Sequence, residues 1–487
     1  MPQQYRKDAL IIFFLLAFVY AYFYQDSGWN GNSRFGLIFA IVQEGRLSID
    51  NYVDNTQLGT QTGDSAYFDG HYYSDKAIGP AVSGVLIYTP LYLMEIIFNH
   101  PGIATVKWIL TFLIVGLPSA IGGSLMYTLY YYLSKSRFKA YLVTIAIALG
   151  TMCLPYSVTF FSHQITASLL YCVFIIIFFL KENPGMSWKT SYLFLIGFLL
   201  GWALICEFPS AIIILTLIVY YFLIAWKAHE NWRLRTIVLP FMGGIIPIVL
   251  QLLYNKLCFG NFFSLGYLNE SSPLFHSALQ QGLVGIQWPD LSAVYYMILH
   301  PTMGIFWESP ALLFSFIGAG IMFHKRLYRK EAILAIWIIC SYTVILSGSF
   351  IWWGGNAVGP RYIIPVLPFF GILLIFVPKR FYWPFICLTI VSIGQMMIAT
   401  ASTVGVPDTM MWKIASLRYF EYSNIYSYCL KQLLEGNFTL NLGHRLLGLI
   451  SWGSLIPLLV FIVGVTFFFF KNTGDKSRKY EWQTRPL

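Results

Sequence analysis

Between residues 65 and 80 the chain reads SAYFDGHYYSDKAIGP, and Asp69, His71, Asp75 and Lys76 fall within eight positions. Elsewhere the ionisable residues that draw attention stand singly beside apolar runs: Asp26, Asp50 in RLSIDNY, His163 in FFSHQIT, Glu207 in ALICEFPSA, Glu308 in FWESPAL and Arg361 after WWGGNAVGP. A carboxylate in such a set can orient a hydroxyl and take its proton. Lysine and arginine can neutralise a departing anion, and the forked guanidinium suits two-point contact with phosphate. The glycines ahead of Arg361 form a turn able to present backbone N–H groups, although such turns also occur wherever a loop must bend. Each candidate has a plainer role as well. Asp75 and Lys76 can form a structural salt bridge, His71 beside glycine a turn, and Glu207 a partner for a buried base. His163 fits a helix start, a metal ligand or a phosphate contact. In an extended segment, adjacent residues point to opposite sides, so Asp75 and Lys76 are expected to face different partners.

The frame that must position these residues is a membrane one. The chain has 487 residues, 57% hydrophobic and only 11% charged, against roughly 25% charged in a soluble domain. Apolar runs near 9–24, 105–133, 140–157, 165–180, 190–206, 210–226, 236–255, 306–323, 331–348, 361–378, 382–400 and 447–470 give about twelve expected transmembrane helices. The first is read as an uncleaved span, because no small-residue cleavage site follows it. The net charge of +10 is scattered over short loops, which is the bias of a membrane protein and not a nucleic-acid signal. The seven cysteines show no CxxC or zinc spacing and read as packing residues. GxxxxGKS, GxSxG and HExxH are absent, which argues against an ATP-driven pump, a serine hydrolase and a zincin.

One further apolar segment, 79–98, decides the topology. If it does not cross, the basic short loops SKSRFK, KENPGMSWK, KAHENWRLR, HKRLYRK and PKR all fall on the cytoplasmic side with the N-terminus. The segment, with Pro80 and Pro90, is therefore expected to be a re-entrant or interfacial helix pair. The acidic loop 25–78 then lies outside. Within it SRFGLIFAIVQEG, from Ser33 to Gly45, has a capping serine, helical apolar spacing and a stopping glycine, and is expected to lie as an amphipathic helix on the surface.

This order of elements, with YYSDKAIGP leading into a non-crossing helix, resembles the GT-C superfamily of integral-membrane glycosyltransferases. Bacterial aminoarabinose transferases carry a stretch that reads approximately YFEKPPL, and Asp75 and Lys76 stand in place of its Glu-Lys pair. Protein O-mannosyltransferases are similar too, and GHYYSDKA, SHQITASLL, FGNFFSLGY and WWGGNAVGPRYIIPVLPFF are similar to uncharacterised bacterial members. The resemblance covers roughly residues 1–400. It departs from the family near the first outer helix, where an acidic pair often carries the base and this chain has Asp26 followed by asparagines at 30 and 32. The catalytic base is left between Asp26 and Asp50.

The resemblance implies an all-α polytopic fold with a transmembrane catalytic module over 1–400, including a first extracytoplasmic loop at 25–104. An outer loop and last helix follow at 401–470, and a basic cytoplasmic tail at 471–487. It implies transfer of a hexosyl or pentosyl unit from a polyprenyl-phosphate carrier to a hydroxyl of a lipid, glycan or protein, at the extracytoplasmic face of a bacterial inner membrane. Lys76 and Arg361 would hold the donor phosphate, with Asp75, His71, His163, Glu207 and Glu308 binding or supporting substrate. A divalent metal is left open. Two other classes compete: a lipid or glycan flippase, against which stand the lack of an internal repeat and the charges at span ends, and a non-catalytic scaffold for polysaccharide assembly.

Overall fold

The computed structural model describes residues 3–97, 102–182, 189–228, 234–407 and 423–471. The tail 472–487, segment 408–422 of the last outer loop, and much of the two basic loops at 183–188 and 229–233 lie outside the described residues. Among the described residues, seven helices are long and apolar enough to cross a membrane: Ile103–Ser134, Ser162–Glu182, Phe208–Trp226, Arg235–Phe259, Arg329–Ser347, Lys379–Ala401 and Ser451–Lys471. Four shorter apolar helices join them, Gly79–Met94, Thr190–Cys206, Pro310–His324 and Arg361–Leu374. The expected total of about twelve counted several of these shorter helices and α1 (Gln3–Ala21) as spans.

Polar contacts mark the two ends of the bundle. At one end Arg137 pairs with the buried Asp8, which also accepts from Tyr127 Oη at 2.9 Å. Lys181 there pairs with Glu331 at 2.8 Å, and Tyr220 Oη donates to the same carboxylate at 2.7 Å. At the other end the starts of Ser162–Glu182 and Arg361–Leu374 meet the end of Thr190–Cys206 and the segment from residue 22 to 78. Within the bundle, Thr190–Cys206 and Arg235–Phe259 touch backbone to backbone. A Cβ at Gly197 would lie 1.7 Å from Pro240 O, and one at Gly201 2.6 Å from Gly244 O, so only glycine permits this approach.

Helix α2 (Gly28–Phe39) corrects one expectation. It begins five residues before Ser33, runs into a wider turn at Ala40–Glu44, and stops at Gly45, whose φ is +66°. The helix does not lie on the surface: every residue from Ser33 to Ala40 is buried. Phe35 stacks on Phe160 with ring centroids 4.4 Å apart, and Phe39 meets Tyr88 at 5.0 Å. The protein itself covers its apolar side, so Ser33 and Arg34 point into protein and not into water.

A two-stranded hairpin, β1 (Ala66–Phe68) and β2 (His71–Tyr73), follows, and its turn is Asp69-Gly70, both at positive φ as a tight Asp-Gly hairpin turn requires. Helix α3 (Gly79–Ile97) then runs unbroken through Pro90, where a helix pair was expected. Pro80 falls in the first turn, where a missing N–H costs nothing. Pro90 removes one internal hydrogen bond, whereas a break in apolar surroundings would strand several backbone groups.

Candidate functional site

The residues after β2 form the first half of a charged cluster. Asp75 is 2% exposed, and its Oδ2 lies 2.5 Å from Lys76 Nζ. The two side chains therefore meet, contrary to the expectation for an extended segment, because the backbone leaves the strand at Ser74 and the long lysine stem folds back. Lys76 Nζ also lies 2.9 Å from Asp64 Oδ2, and Ser33 Oγ reaches Asp75 Oδ1 at 3.4 Å and Ser74 Oγ at 2.8 Å. The segment 265–270 closes over this group. A Cβ at Gly266 would sit 2.7 Å from Asp75 Cα, so the two backbones are in direct contact. That approach lays the Tyr267 ring 5.5 Å from Lys76 Nζ and brings the buried Glu270 into the field of Asp75 and Asp64.

Three carboxylates thus surround one ammonium. Burial, followed by repulsion from Asp75, pushes the Glu270 carboxyl up to about 9. Burial also raises Asp75, only partly offset by Lys76. Burial alone would lower Lys76, but Asp64 and Asp75 outweigh it and hold the ammonium well above its ordinary value. This half is acidic.

The second half is cationic. The consecutive residues Phe161, Ser162 and His163 start the helix Ser162–Glu182. The Arg361 guanidinium stacks 4.5 Å over Phe161, and Arg34 Nη2 donates to Ser162 Oγ at 3.2 Å. Both guanidiniums act electrostatically on His163, which is 3% exposed. His163 Nδ1 is 2.9 Å from Glu207 Oε2, off the line of a hydrogen bond, and Nε2 has no hydrogen-bond partner among the described residues. Ser162 Oγ also donates to Glu207. Burial raises the Glu207 carboxyl, but His163, Ser162 and Arg34 together outweigh it and leave it below its ordinary value. Arg34 is 2% exposed and donates to Asn30 and Ser162, with no carboxylate within ion-pair distance among the described residues. Arg361 has no such carboxylate either, and the Nε of each arginine is buried without a partner there. Gly354 makes room for Arg361: a Cβ there would lie 2.7 Å from Arg361 Cγ.

The halves adjoin. Tyr267 feels the charges of Lys76 and Asp75 on one side and of Glu207 and Arg34 on the other. Tyr362, 5.3 Å from the His163 ring, feels Arg361, Lys76, Glu207 and Asp64. Beside the acidic half, an apolar groove of about 180 Å³ runs between α2, α3 and Arg235–Phe259, lined by Leu37, Ile78, Val82, Leu253, Tyr254 and Leu257 among others. It is tied to the cluster directly. Gln251 Oε1 accepts from Ile78 N at 3.3 Å, and Tyr254 Oη donates to Ser74 O at 3.1 Å. Leu257, one of the lining residues, is 71% exposed.

Of the residues singled out in the sequence, Asp75, Lys76, His163, Glu207 and Arg361 come together here. Asp50 and His71 pair with each other on the exposed hairpin: Asp50 Oδ2 lies 2.8 Å from His71 Nδ1, and Oδ1 accepts from Tyr72 N at 2.7 Å. Asp26 is exposed and accepts from Ser27 N at 2.8 Å. Neither Asp26 nor Asp50 touches the cluster. Glu308 lies apart, 1% exposed, with both carboxyl oxygens lacking hydrogen-bond partners among the described residues. A Cβ at Gly359 would lie 2.5 Å from its Oε2. No group of three or more histidine, cysteine, aspartate or glutamate side chains able to hold a metal occurs among the described residues. Arg34, Asp64, Tyr267 and Glu270 were not singled out. The usable signal for Arg34 was a lone arginine inside an apolar helix, SRFGLIF, with asparagine one turn earlier.

No known protein family matches the chain, and no curated protein does. Among solved structures, the chain is similar to ArnT from Cupriavidus metallidurans bound to undecaprenyl phosphate, at 14% identity and a TM-score of 0.47, over 96% of this chain and 75% of that one. It is also similar to the same protein in the apo state, at 16% identity and a TM-score of 0.49, over 96% of this chain and 74% of that one.

Proposed function

We propose that this protein is a membrane glycosyltransferase that moves a sugar from a polyprenyl-phosphate carrier to an acceptor hydroxyl, at the extracytoplasmic face of a bacterial inner membrane. The observation that carries this reading is the meeting of three features at one end of the bundle. They are two guanidiniums with no carboxylate within ion-pair distance among the described residues, a cluster of carboxylates, and an apolar groove. A lipid-linked phosphate donor needs all three. The motif resemblance around YYSDKAIGP points to the same chemistry, and the distribution of basic loops supports the side.

In this reading the prenyl chain occupies the groove and the phosphate lies against the cationic half. The bond between the anomeric carbon and the phosphate oxygen breaks, and its electron pair stays on that oxygen. The acceptor oxygen bonds to the anomeric carbon, and its proton passes to a carboxylate of the acidic half, Asp64 or Asp75. Asp26 and Asp50, the carboxylates first considered for this step, stand outside the cluster. Lys76 ties the acidic half to the phosphate side. The tyrosines at 267 and 362 border both halves, where a sugar would lie.

The test is binding of undecaprenyl phosphate to the full chain in nanodiscs, followed by native mass spectrometry with phosphatidylglycerol as competitor. The lipid phosphate should bind in preference to phosphatidylglycerol, and Arg361→Ala should remove the preference. Equal retention of both lipids by the wild-type protein would sink the reading.

A further inference from the structure

The segment joining Arg235–Phe259 to Pro310–His324 holds a second concavity, which shares no lining residue with the charged cluster or the apolar groove. It is an open cleft of about 500 Å³ lined by Gln281, Gly282, Ile286, Gln287 and Trp288, within the range of roughly 300–1,000 Å³ typical of small-molecule sites. Its floor is a turn fixed by hydrogen bonds. Leu283 N donates to Ile286 O at 2.8 Å, Gln287 N to Gly348 O at 2.9 Å, and Phe350 N to Gly285 O at 3.1 Å. Gly282, Val284 and Gly285 all hold positive φ, and +51° at Val284 is a setting that β-branched residues rarely adopt. A Cβ at Gly282 would lie 2.1 Å from Ile286 O, so the turn closes only on glycine.

On this turn stands Trp288, 92% exposed and packed on no other aromatic ring among the described residues. Its neighbours in the cleft are polar. Gln287 Nε2 donates to Gln281 Oε1 at 2.7 Å, which leaves Gln281 Nε2 as a donor and Gln287 Oε1 as an acceptor open to a ligand. A flat apolar face flanked by a donor and an acceptor matches a sugar ring, whose C–H bonds cover one face and whose hydroxyls surround its edge. No cation lines the cleft, and the exposed carboxylate of Asp290 follows two residues after Trp288, so the sugar that fits is an uncharged one. Leu283 and Leu291 are exposed near it in the chain, but sinking two amides and a carboxylate into lipid is costly, which favours a saccharide over the bilayer. The cleft is also close to the candidate site along the chain. Phe350 is bonded to its floor, Gly354 packs on Arg361, and the four-residue step between them spans at most about 14 Å.

Resting on the glycosyltransferase reading, we infer that Gln281, Gln287 and Trp288 form a subsite for an uncharged acceptor saccharide, so that the hydroxyl receiving the transferred sugar belongs to a glycan. One ring of the acceptor stacks on Trp288 with its hydroxyls on the two amides. A ring further along the same glycan brings its hydroxyl to the charged cluster. The subsite holds the acceptor equally before and during bond transfer, so it lowers KM for the acceptor and leaves kcat unchanged.

The experiment uses the full chain in phosphatidylcholine nanodiscs, with chitotetraose, cellotetraose and mannotetraose as neutral probes and tetragalacturonate as the charged control, read by saturation-transfer difference NMR. Wild-type protein should transfer saturation to the ring C–H protons of at least one neutral probe and not to the galacturonate. Trp288→Ala should weaken that binding about tenfold, and Trp288→Phe should keep part of it. Both variants should melt with wild type, because the side chain stands in solvent. A wild-type protein that binds no neutral probe, or binding that survives Trp288→Ala undiminished, overturns the subsite. So does quenching by brominated phosphatidylcholine of the fluorescence that Trp288→Ala removes, which would make Trp288 a membrane anchor. Undecaprenyl phosphate is titrated alongside against phosphatidylglycerol. If wild type prefers the lipid phosphate and binds no saccharide, only the subsite falls. If it binds saccharide through Trp288 and shows no preference for the lipid phosphate, the glycosyltransferase reading falls and the acceptor role with it.

Discussion

Gly266→Ala is the smallest change that should dismantle the acidic half. An added Cβ would lie 2.7 Å from Asp75 Cα, 2.8 Å from Asp75 O and 2.9 Å from Asp75 C, where ordinary contact begins at 3.4 Å. All three atoms are backbone, so no side chain can swing away. Gly266 does not adopt a positive φ, and the effect is therefore steric and not conformational. Overpacking of this kind costs about 1–3 kcal/mol. The lower backbone entropy of alanine in the unfolded chain returns about 0.4–1 kcal/mol, so a net loss of about 1–2 kcal/mol is expected. Relief comes by moving segment 265–270 outward, which takes Tyr267 from Lys76 and Glu270 from Asp75. Thermal unfolding in nanodiscs and undecaprenyl phosphate binding read the two consequences. Gly394→Ala serves as control, since a Cβ there meets nothing within 4 Å in a helix, and it should be neutral or stabilising. If Gly266→Ala behaves like Gly394→Ala in both assays, the close clamp on Asp75 is refuted.

Two more predictions concern charge. Glu331→Ala leaves Lys181 with Glu182 at 3.0 Å as its remaining carboxylate and strands the Tyr220 Oη, so a loss of about 1–3 kcal/mol is expected; unfolding should show it while lipid-phosphate binding at the opposite end is unchanged. Glu270 has a folded value raised to about 9 from 4.5. The unfolded chain therefore releases this proton first, and stability falls as pH rises from about 4.5 to about 9, then levels. Glu270→Gln removes that loss, so its melting temperature should exceed wild type at pH 8 and match it at pH 4. An equal offset at both pH values would contradict the assigned burial.

What could be read from the sequence follows from the range of each signal. Apolar runs are local, and they located the seven helices long enough to cross a membrane to within a few residues, whereas the run 140–157, read as one span, is broken at 149–152 into Arg137–Ala148 and Cys153–Ser157. Adjacency in sequence drew attention to Asp75 and Lys76, but their mutual contact depends on the backbone leaving β2, which no pattern of residues announces. The helix around Ser33 was legible as amphipathic, yet an apolar face looks the same whether lipid or protein covers it. Arg34 was hidden by that ambiguity, because an arginine on a surface helix needs no partner. Asp64 and Glu270 meet Lys76 from segments about 200 residues apart, and the constraint that brings them together is the missing Cβ of Gly266. Asp50 illustrates the reverse case. Its place after the helix suggested a base, but burial raises its carboxyl less than Tyr72 N–H and His71 lower it, as fits a brace on an exposed hairpin.

The central claim is chemical, and turnover tests it most directly. Polyprenyl-phosphate-linked sugars extracted from bacterial membranes are incubated with the full chain in nanodiscs and a membrane extract as the source of acceptors, and release of free polyprenyl monophosphate is followed by mass spectrometry. The account predicts release with wild-type protein and its loss with Arg361→Ala. A wild-type protein that binds the lipid monophosphate yet releases none from any lipid-linked sugar would contradict it.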